Sequence, residues 1–193
     1  MSQMHDKSKY REVGLELRKN LNVHERKKAN ILIQNKIKKK INQANFNRIM
    51  FYLSSAYEVN TDDLIRDLLT KNFKIYVPKT LDNSLMNCIE MKSLSSLTLN
   101  KYKIREPLEN IKADPNLIEC IIVPMICGDI LGHRIGYGKG YYDKFLANIN
   151  AFKIGIAYQC QIHNQIPFEN HDIKMDMIIT DKSTYLINDF TCL

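Results

Sequence analysis

Arg134-Ile135-Gly136-Tyr137-Gly138-Lys139-Gly140-Tyr141-Tyr142-Asp143-Lys144-Phe145 stands between two apolar runs, Cys120–Ile126 and Lys153–Tyr158. The first run is nearly continuous apolar, the composition of a strand covered on both faces. The second, Lys-Ile-Gly-Ile-Ala-Tyr, has the same character. Between them, Tyr142, Phe145, Leu146 and Ile149 follow the glycines at helical spacing. Strand, glycine loop, helix and strand make the repeating unit of layered α/β folds with parallel sheets.

The flanking sequence carries the same alternation. Residues 8–21 read as a basic amphipathic helix with Tyr10, Val13, Leu17 and Leu21 on one stripe. Asn22 with Glu25 resembles a capping box, with Asn in place of the usual Ser/Thr, for a second helix that sets Ala29, Ile33, Ile37 and Ile41 at four-residue steps. Arg48–Ser54 is a strand-length apolar run. Thr61 is placed to cap a third helix through Leu64, Ile65, Leu68 and Leu69. Lys74–Val77 reads as a strand stopping at Pro78, Cys88–Met91 as a short strand, and Met177–Thr180 as the last. Residues 92–117 are mixed, with Pro107 and Pro115 marking turns. The chain therefore reads as an α/β protein, a single-domain layered fold over residues 1–193 with a largely parallel central sheet flanked by helices. In such sheets ligands bind beyond the carboxyl ends of the strands, and the glycine loop follows the strand ending near Ile126.

The loop's chemistry points to an anion. Gly136, Gly138 and Gly140 let backbone amides approach a ligand closely. Arg134 and Lys139 can neutralise phosphate charge, and a glycine loop feeding a helix N-terminus receives anions readily. Asp143 falls in the first helical turn, where a carboxylate beside phosphates suits Mg²⁺. Neither the P-loop nor the dinucleotide fingerprint fits this spacing. Alternating glycines alone also describe a turn with no ligand; the flanking cations, tyrosines and Asp143 argue for one.

With 193 residues, 45% of them hydrophobic, the chain can build a real core. Its net charge of +7 suits an anionic ligand, although much of the lysine reads as solvated helix face. The five cysteines are scattered with no zinc spacing, which fits a reducing compartment and a cytoplasmic location. The N-terminus is polar and carries no secretory signal, and no apolar run reaches the ~18 residues of a membrane helix. No RNA or DNA module signature is present, so nucleic acid is not the expected partner. The Gly-x-Ser-x-Gly elbow of serine hydrolases is absent.

Other residues are open to two readings. Lys7 and Arg11 share a helix face and can reach a phosphate, though composition alone favours an exposed basic helix. Glu58, in a polar loop past an apolar strand, can accept hydrogen bonds from a heterocycle or be a surface carboxylate. Asp172 is a candidate second metal ligand and Asp176 a candidate orienting group. His163, His171, Asp172 and Asp176 match no standard transition-metal pattern, and Mg²⁺ with phosphate fits the glycine loop better.

Arg134 to Asp143 resembles the signature of the 5-formyltetrahydrofolate cyclo-ligase family. Lys7-x-x-x-Arg11, the Leu53–Glu58 loop, Val123-Pro124 with Asp129 and Gly132, Gly155–Tyr158, Gln161, Pro167 and His171-Asp172 follow in the family's order. Ile135 stands where Leu is usual, and Gly128 where an aromatic is common. The resemblance implies ATP- and Mg²⁺-dependent cyclisation of 5-formyltetrahydrofolate to 5,10-methenyltetrahydrofolate through a phosphorylated formyl group. It implies that Lys7, Arg11, Arg134, Gly136, Tyr137, Gly138, Lys139, Gly140, Tyr141 and Tyr142 bind ATP. Lys139, Arg134 and Tyr142 would act in catalysis, and Asp143 and Asp172 would hold the metal. Leu53, Glu58, Tyr137, Gly138, Lys139, Gly140 and Tyr141 would line the folate site. The expected partner is the folate, with or without a polyglutamate tail, and the expected state is a monomer with no membrane attachment. A ligase-dead regulator on the same fold is the main rival, and a sugar-phosphate isomerase or acyl-CoA transferase is a rival on fold analogy alone.

Overall fold

A computed structural model describes residues 2–95, 97–100, 104–108 and 111–187, with side chains from Lys7 onward; Cys192 lies outside the described residues. The helices are α1 (Ser2–Asn20), α2 (Val23–Ala44), α3 (Asp62–Thr70) and α4 (Tyr141–Leu146). The strands are β1 (Arg48–Met50), β2 (Lys74–Thr80), β3 (Met86–Met91), β4 (Leu97–Leu99), β5 (Arg105–Pro107), β6 (Cys120–Pro124), β7 (Cys127–Asp129), β8 (Arg134–Ile135), β9 (Phe152–Ile156), β10 (Ile162–His163), β11 (Met177–Ile179) and β12 (Thr184–Leu186).

The central sheet has seven strands in the order β12-β11-β9-β6-β1-β2-β3. Pairing from β11 through β2 is parallel, and only the edge strands β12 and β3 run antiparallel. Side-chain alternation divides the core into two layers. On one face Ile49, Phe51, Ile75, Cys120, Ile122, Ile154 and Ile156 pack with Ile33, Ile37 and Ile41 of α2 and Leu64, Ile65 and Leu68 of α3. On the other, Met50, Tyr76, Ile121, Val123 and Ile178 pack with Leu146 of α4 and with Met125 and Met175. Ile33, Ile37 and Ile41 are at most 1% exposed, so each contributes roughly 1.5–3 kcal/mol of burial, while Ile31 of the same helix faces solvent.

α2 begins as its sequence signals. Asn22 accepts from the Glu25 N–H at 2.9 Å, and the Glu25 carboxylate accepts from the Asn22 N–H at 3.1 Å. Thr61 departs from expectation. Its hydroxyl donates to the Tyr52 carbonyl at 2.8 Å and makes no cap, while Asn60 Oδ1 accepts from the Asp62 N–H at 3.1 Å. The buried Tyr52 carbonyl is the stronger claim on that hydroxyl, because an unmet buried acceptor is costly.

β2 runs through Pro78 to Thr80 rather than stopping at it. Lys74 and Tyr76 bond toward β1, so by alternation Pro78 faces the same side, beyond the end of β1. The missing N–H therefore breaks no ladder. Residues 92–117, read as mixed with turns at Pro107 and Pro115, contain the antiparallel β4–β5 pair, with Pro107 closing β5. The largest departure precedes the glycine loop. Instead of joining β6 directly, the loop is carried on a second sheet, β10-β7-β8. The helix after it is also short, ending at Leu146, so Ile149 lies past its end.

Candidate active site

α1 buries a face that hydrophobic periodicity does not reveal. Lys7, Gly14 and Arg18 are the buried positions, whereas of the expected apolar stripe Tyr10, Leu17 and Leu21 are only partly buried and Val13 is 39% exposed. The reason is steric as well as electrostatic. A Cβ on Gly14 would stand 2.6 Å from the Ile126 carbonyl oxygen, so only glycine lets the helix lie this close to the β6–β7 connection. Tyr10 packs beside the glycine on Cys127, Ile135 and Ile166. Arg11 and Arg18 are thereby aimed at the glycine loop and Lys7 at the 169–172 segment beside it.

Lys7 Nζ lies 2.6 Å from Asp172 Oδ2 and 3.2 Å from Glu169 Oε2. Arg11 Nε donates to the Gly136 carbonyl at 2.9 Å, and its guanidinium lies against Gly138, where a Cβ would meet it at 3.2 Å. Gly138 and Gly140 have φ of +84° and +67°, which other residues seldom adopt. Arg134, on β8, turns inward and pairs with Asp143 at 2.6 Å. Its guanidinium also lies 5.8 Å from the Tyr142 ring centre. Lys139 is exposed on the loop, and Tyr141 sits half-buried at the start of α4.

The two expected metal carboxylates come from adjoining segments, since Asp143 receives the N–H of Ile173, the residue after Asp172. Asp143 Oδ1 accepts from the Ile173 N–H at 3.3 Å, and Asp172 Oδ2 accepts from the Glu169 N–H at 2.7 Å. Asp172 Oδ1 stands 3.9 Å from His171 Nε2, and neither it nor Asp143 Oδ2 makes a hydrogen bond among the described residues. Two carboxylate oxygens left over beside a phosphate-receptive loop fit a hard cation such as Mg²⁺. Glu169, His171 and Asp172 also bring ligand atoms within 4.8 Å of one another, and Lys7 already pairs with two of the three. His163 is elsewhere, edge-on to Tyr10, and Asp176 instead holds β9 by accepting from the Lys153 N–H at 2.7 Å.

The Glu58 loop faces the glycine loop across the carboxyl end of the sheet. Glu58 Oε2 accepts from the Ser55 N–H at 2.8 Å, and Oε1 accepts from the Tyr137 hydroxyl at 3.1 Å. Tyr158, just past β9, points its hydroxyl at Asn30 Oδ1, 3.0 Å away, and the Glu58 carbonyl, 3.1 Å away. Leu53 is buried in the larger apolar core at the base of this loop. A cavity of about 270 Å³ opens beside it, lined among others by Arg26, Asn30, Ser54, Asp62 and Arg105. Arg105 clamps Asp62 through both nitrogens, at 2.7 and 2.9 Å, and donates to the Ser54 carbonyl at 2.7 Å.

Burial shapes the titrating groups. Desolvation, with the Glu58 charge adding to it, holds the Tyr142 hydroxyl well above its usual pKa, and that hydroxyl has no hydrogen-bond partner among the described residues. Burial also raises Tyr158 to about 12. These phenols keep their protons at neutral pH, which excludes them as bases.

A second buried carboxylate fixes the hairpin beneath the loop. Asp129, fully buried, accepts from the N–H groups of Leu131, His133 and Ile166 and meets His133 Nδ1 at 3.0 Å. The His133 ring stacks on Phe168 at 3.9 Å. Met125 packs where a side chain at Gly128 would go. Sequence reading missed Arg18, Glu169, Tyr158 and the Arg105–Asp62 clamp. A Lys7-Arg11-Gly14-Arg18 stripe at helical spacing was the available signal for the first of these.

The fold and site define an α/β protein whose sheet joins, at its carboxyl edge, a cation-rimmed glycine loop to a loop carboxylate. The chain belongs to the 5-formyltetrahydrofolate cyclo-ligase family, whose model matches residues 3–181. Mouse 5-formyltetrahydrofolate cyclo-ligase is 27% identical over 177 residues, covering 84% of this chain and 87% of the relative. The Escherichia coli K12 cyclo-ligase is 28% identical over 144 residues, covering 71% and 79%. The NMR structure of Aquifex aeolicus 5,10-methenyltetrahydrofolate synthetase shares the fold with a TM-score of 0.85 at 28% identity, covering 97% of this chain and 95% of that one. The family expected from the glycine run and the largely parallel α/β fold expected from the strand alternation are those found.

Proposed function

We propose that the protein converts 5-formyltetrahydrofolate and ATP to 5,10-methenyltetrahydrofolate, ADP and phosphate, with Mg²⁺, in the cytoplasm. The formyl oxygen attacks the γ-phosphorus, and the bond from that phosphorus to ADP breaks. The folate's N10 then adds to the formyl carbon. The carbon–oxygen bond breaks, phosphate leaves, and N10 gives up its proton as the ring closes. An amide oxygen is a poor leaving group and its phosphate ester a good one, which is why the reaction needs ATP. The protein's task is then to align two substrates and hold charge.

The observation that carries this reading is the convergence of Lys7, Arg11, Arg134 and the glycine loop on one side with the Glu58 loop on the other. Lys7, Arg11 and the backbone of residues 134–142 bind the nucleotide phosphates. Lys139 meets the charge that grows on the transferring phosphoryl group. Asp143 and Asp172 hold Mg²⁺, which neutralises phosphate charge when bound. Asp143 also fixes Arg134, and Tyr142 supports that guanidinium with its ring. Glu58 accepts hydrogen bonds from the pterin, with Leu53 and residues 137–141 completing the folate site.

Labelling the formyl oxygen tests the phosphorylated intermediate. Turnover of formyl-oxygen-18 substrate with unlabelled ATP in unlabelled water should place the label in the released phosphate. Label appearing only in water would remove the intermediate from the account.

A further inference from the structure

Arg18 lies seven residues beyond Arg11 on α1 and is 4% exposed. It donates from one guanidinium nitrogen to the Tyr137 hydroxyl oxygen at 2.5 Å, and its other terminal nitrogen stands 3.8 Å from Glu58 Oε1. An arginine has donors only, so the Tyr137 oxygen must accept, and its single proton is left for Glu58 at 3.1 Å. The direction of the relay is therefore fixed: Arg18 to Tyr137 to Glu58. Burial and the Glu58 charge raise the Tyr137 pKa, so the donor keeps its proton. Nε and NH1 of Arg18 are buried without a hydrogen bond among the described residues. A buried guanidinium so poorly satisfied is costly, and the cost is borne beside one carboxylate.

We propose that Arg18 is a positioning residue for folate recognition, which orients the Tyr137 hydroxyl onto Glu58 and so makes the glycine loop and the Glu58 loop one recognition unit. The inference rests on the folate reading of Glu58. With Ser55 and Tyr137 each taking one lone pair, the carboxylate is held in one rotamer with acceptor positions remaining for a ligand edge that carries two donors. Tyr137 spans the two loops, so a folate seated at Glu58 bears directly on the loop that carries the nucleotide.

The test is a double-mutant cycle on initial rates, using Arg18→Met, Tyr137→Phe and the double variant. A hydrogen bond to a charged group is at stake in each. Each single change should raise KM for 5-formyltetrahydrofolate about tenfold, with KM rather than kcat carrying the loss. Because the two groups act in series, the double variant should lose the same ~tenfold and not ~a hundredfold. Arg18→Lys, which keeps the charge and a donor, should recover part of the loss. Tyr137 is 57% exposed, so Tyr137→Phe tests the relay without disturbing the core. Additive losses in the double variant, or an unchanged KM in Tyr137→Phe, would overturn the relay alone. A wild-type protein with no turnover of this folate would overturn the relay and the functional reading together.

Discussion

Asp143 and Lys139 divide the chemistry proposed for the glycine loop. Asp143 fixes a guanidinium that is only 4% exposed in its side chain, so removing the carboxylate strands a buried charge. Asp143→Ala should abolish turnover and cost about 3 kcal/mol of stability. Turnover assays with denaturant melts check both parts, and a variant with the wild-type rate would refute the metal role. Lys139 is exposed on the loop, and its proposed role is to stabilise charge that develops on the phosphoryl group. Lys139→Ala should lower kcat about a hundredfold with a smaller change in folate KM, and a pure loss of folate binding would reject that role. The cysteines give a separate reading of the core. Burial pushes the thiols of Cys88 and Cys127 up to about 12 and raises Cys120 further. A thiolate forms only as pH rises through the thiol's pKa, so a disulfide reagent at pH ~8 should spare all three. Exposed Cys160 should react first among the four described, as peptide mapping would read. Equal labelling of the four would contradict the packing.

At the scale of elements, α1 shows why sequence reading missed Arg18. Its apolar residues suggested the buried stripe, because periodicity arguments weigh hydrophobic side chains and treat cations as solvent-facing. The segment packs by Tyr10 and Leu21 of that stripe, but the helix makes its closest approach at a glycine, and its cations fill a polar cleft. Gly14→Ala should raise intrinsic helix propensity by about 1 kcal/mol yet impair the enzyme, since the added carbon would stand 2.6 Å from the Ile126 carbonyl oxygen. Reduced melting temperature with raised KM for ATP is the expected result; a stabilised, fully active variant would contradict the close approach. The β1–β6 junction makes a pH prediction. Burial pushes the Glu119 carboxyl up, but hydrogen bonds from the Asn47 and Arg48 N–H groups, with the Arg48 charge, outweigh it and leave the pKa lowered. A lowered folded pKa contributes stability above the unfolded value of about 4.3, and that contribution is lost as pH falls through the folded pKa. Glu119→Gln should therefore melt lower than wild type near pH 7, with the gap closing toward pH ~3. A gap that persists at low pH would assign Glu119 no ionised role.

At the scale of the molecule, the sheet was legible where strands are buried on both faces. β6 and β9 announce themselves as continuous apolar runs, and the isoleucines of α2 announce the layer above them. The second sheet was not legible, because β7, β8 and β10 are two or three residues long and held by the Asp129 carboxylate as much as by pattern. The site was legible as a motif at Arg134–Asp143, whereas its partners converge from α1, the Glu58 loop and residues 169–172, which only the fold brings together. Among the described residues no helix is long and apolar enough to cross a membrane. The central claim is that these parts form one site for two substrates. Its most direct measurement follows ADP release and the near-ultraviolet absorbance of the methenyl product in one cuvette with Mg²⁺. The account predicts that both rise together in equal amounts, and only when ATP and 5-formyltetrahydrofolate are both present. ADP without methenyl product, or methenyl product without ATP, would contradict it.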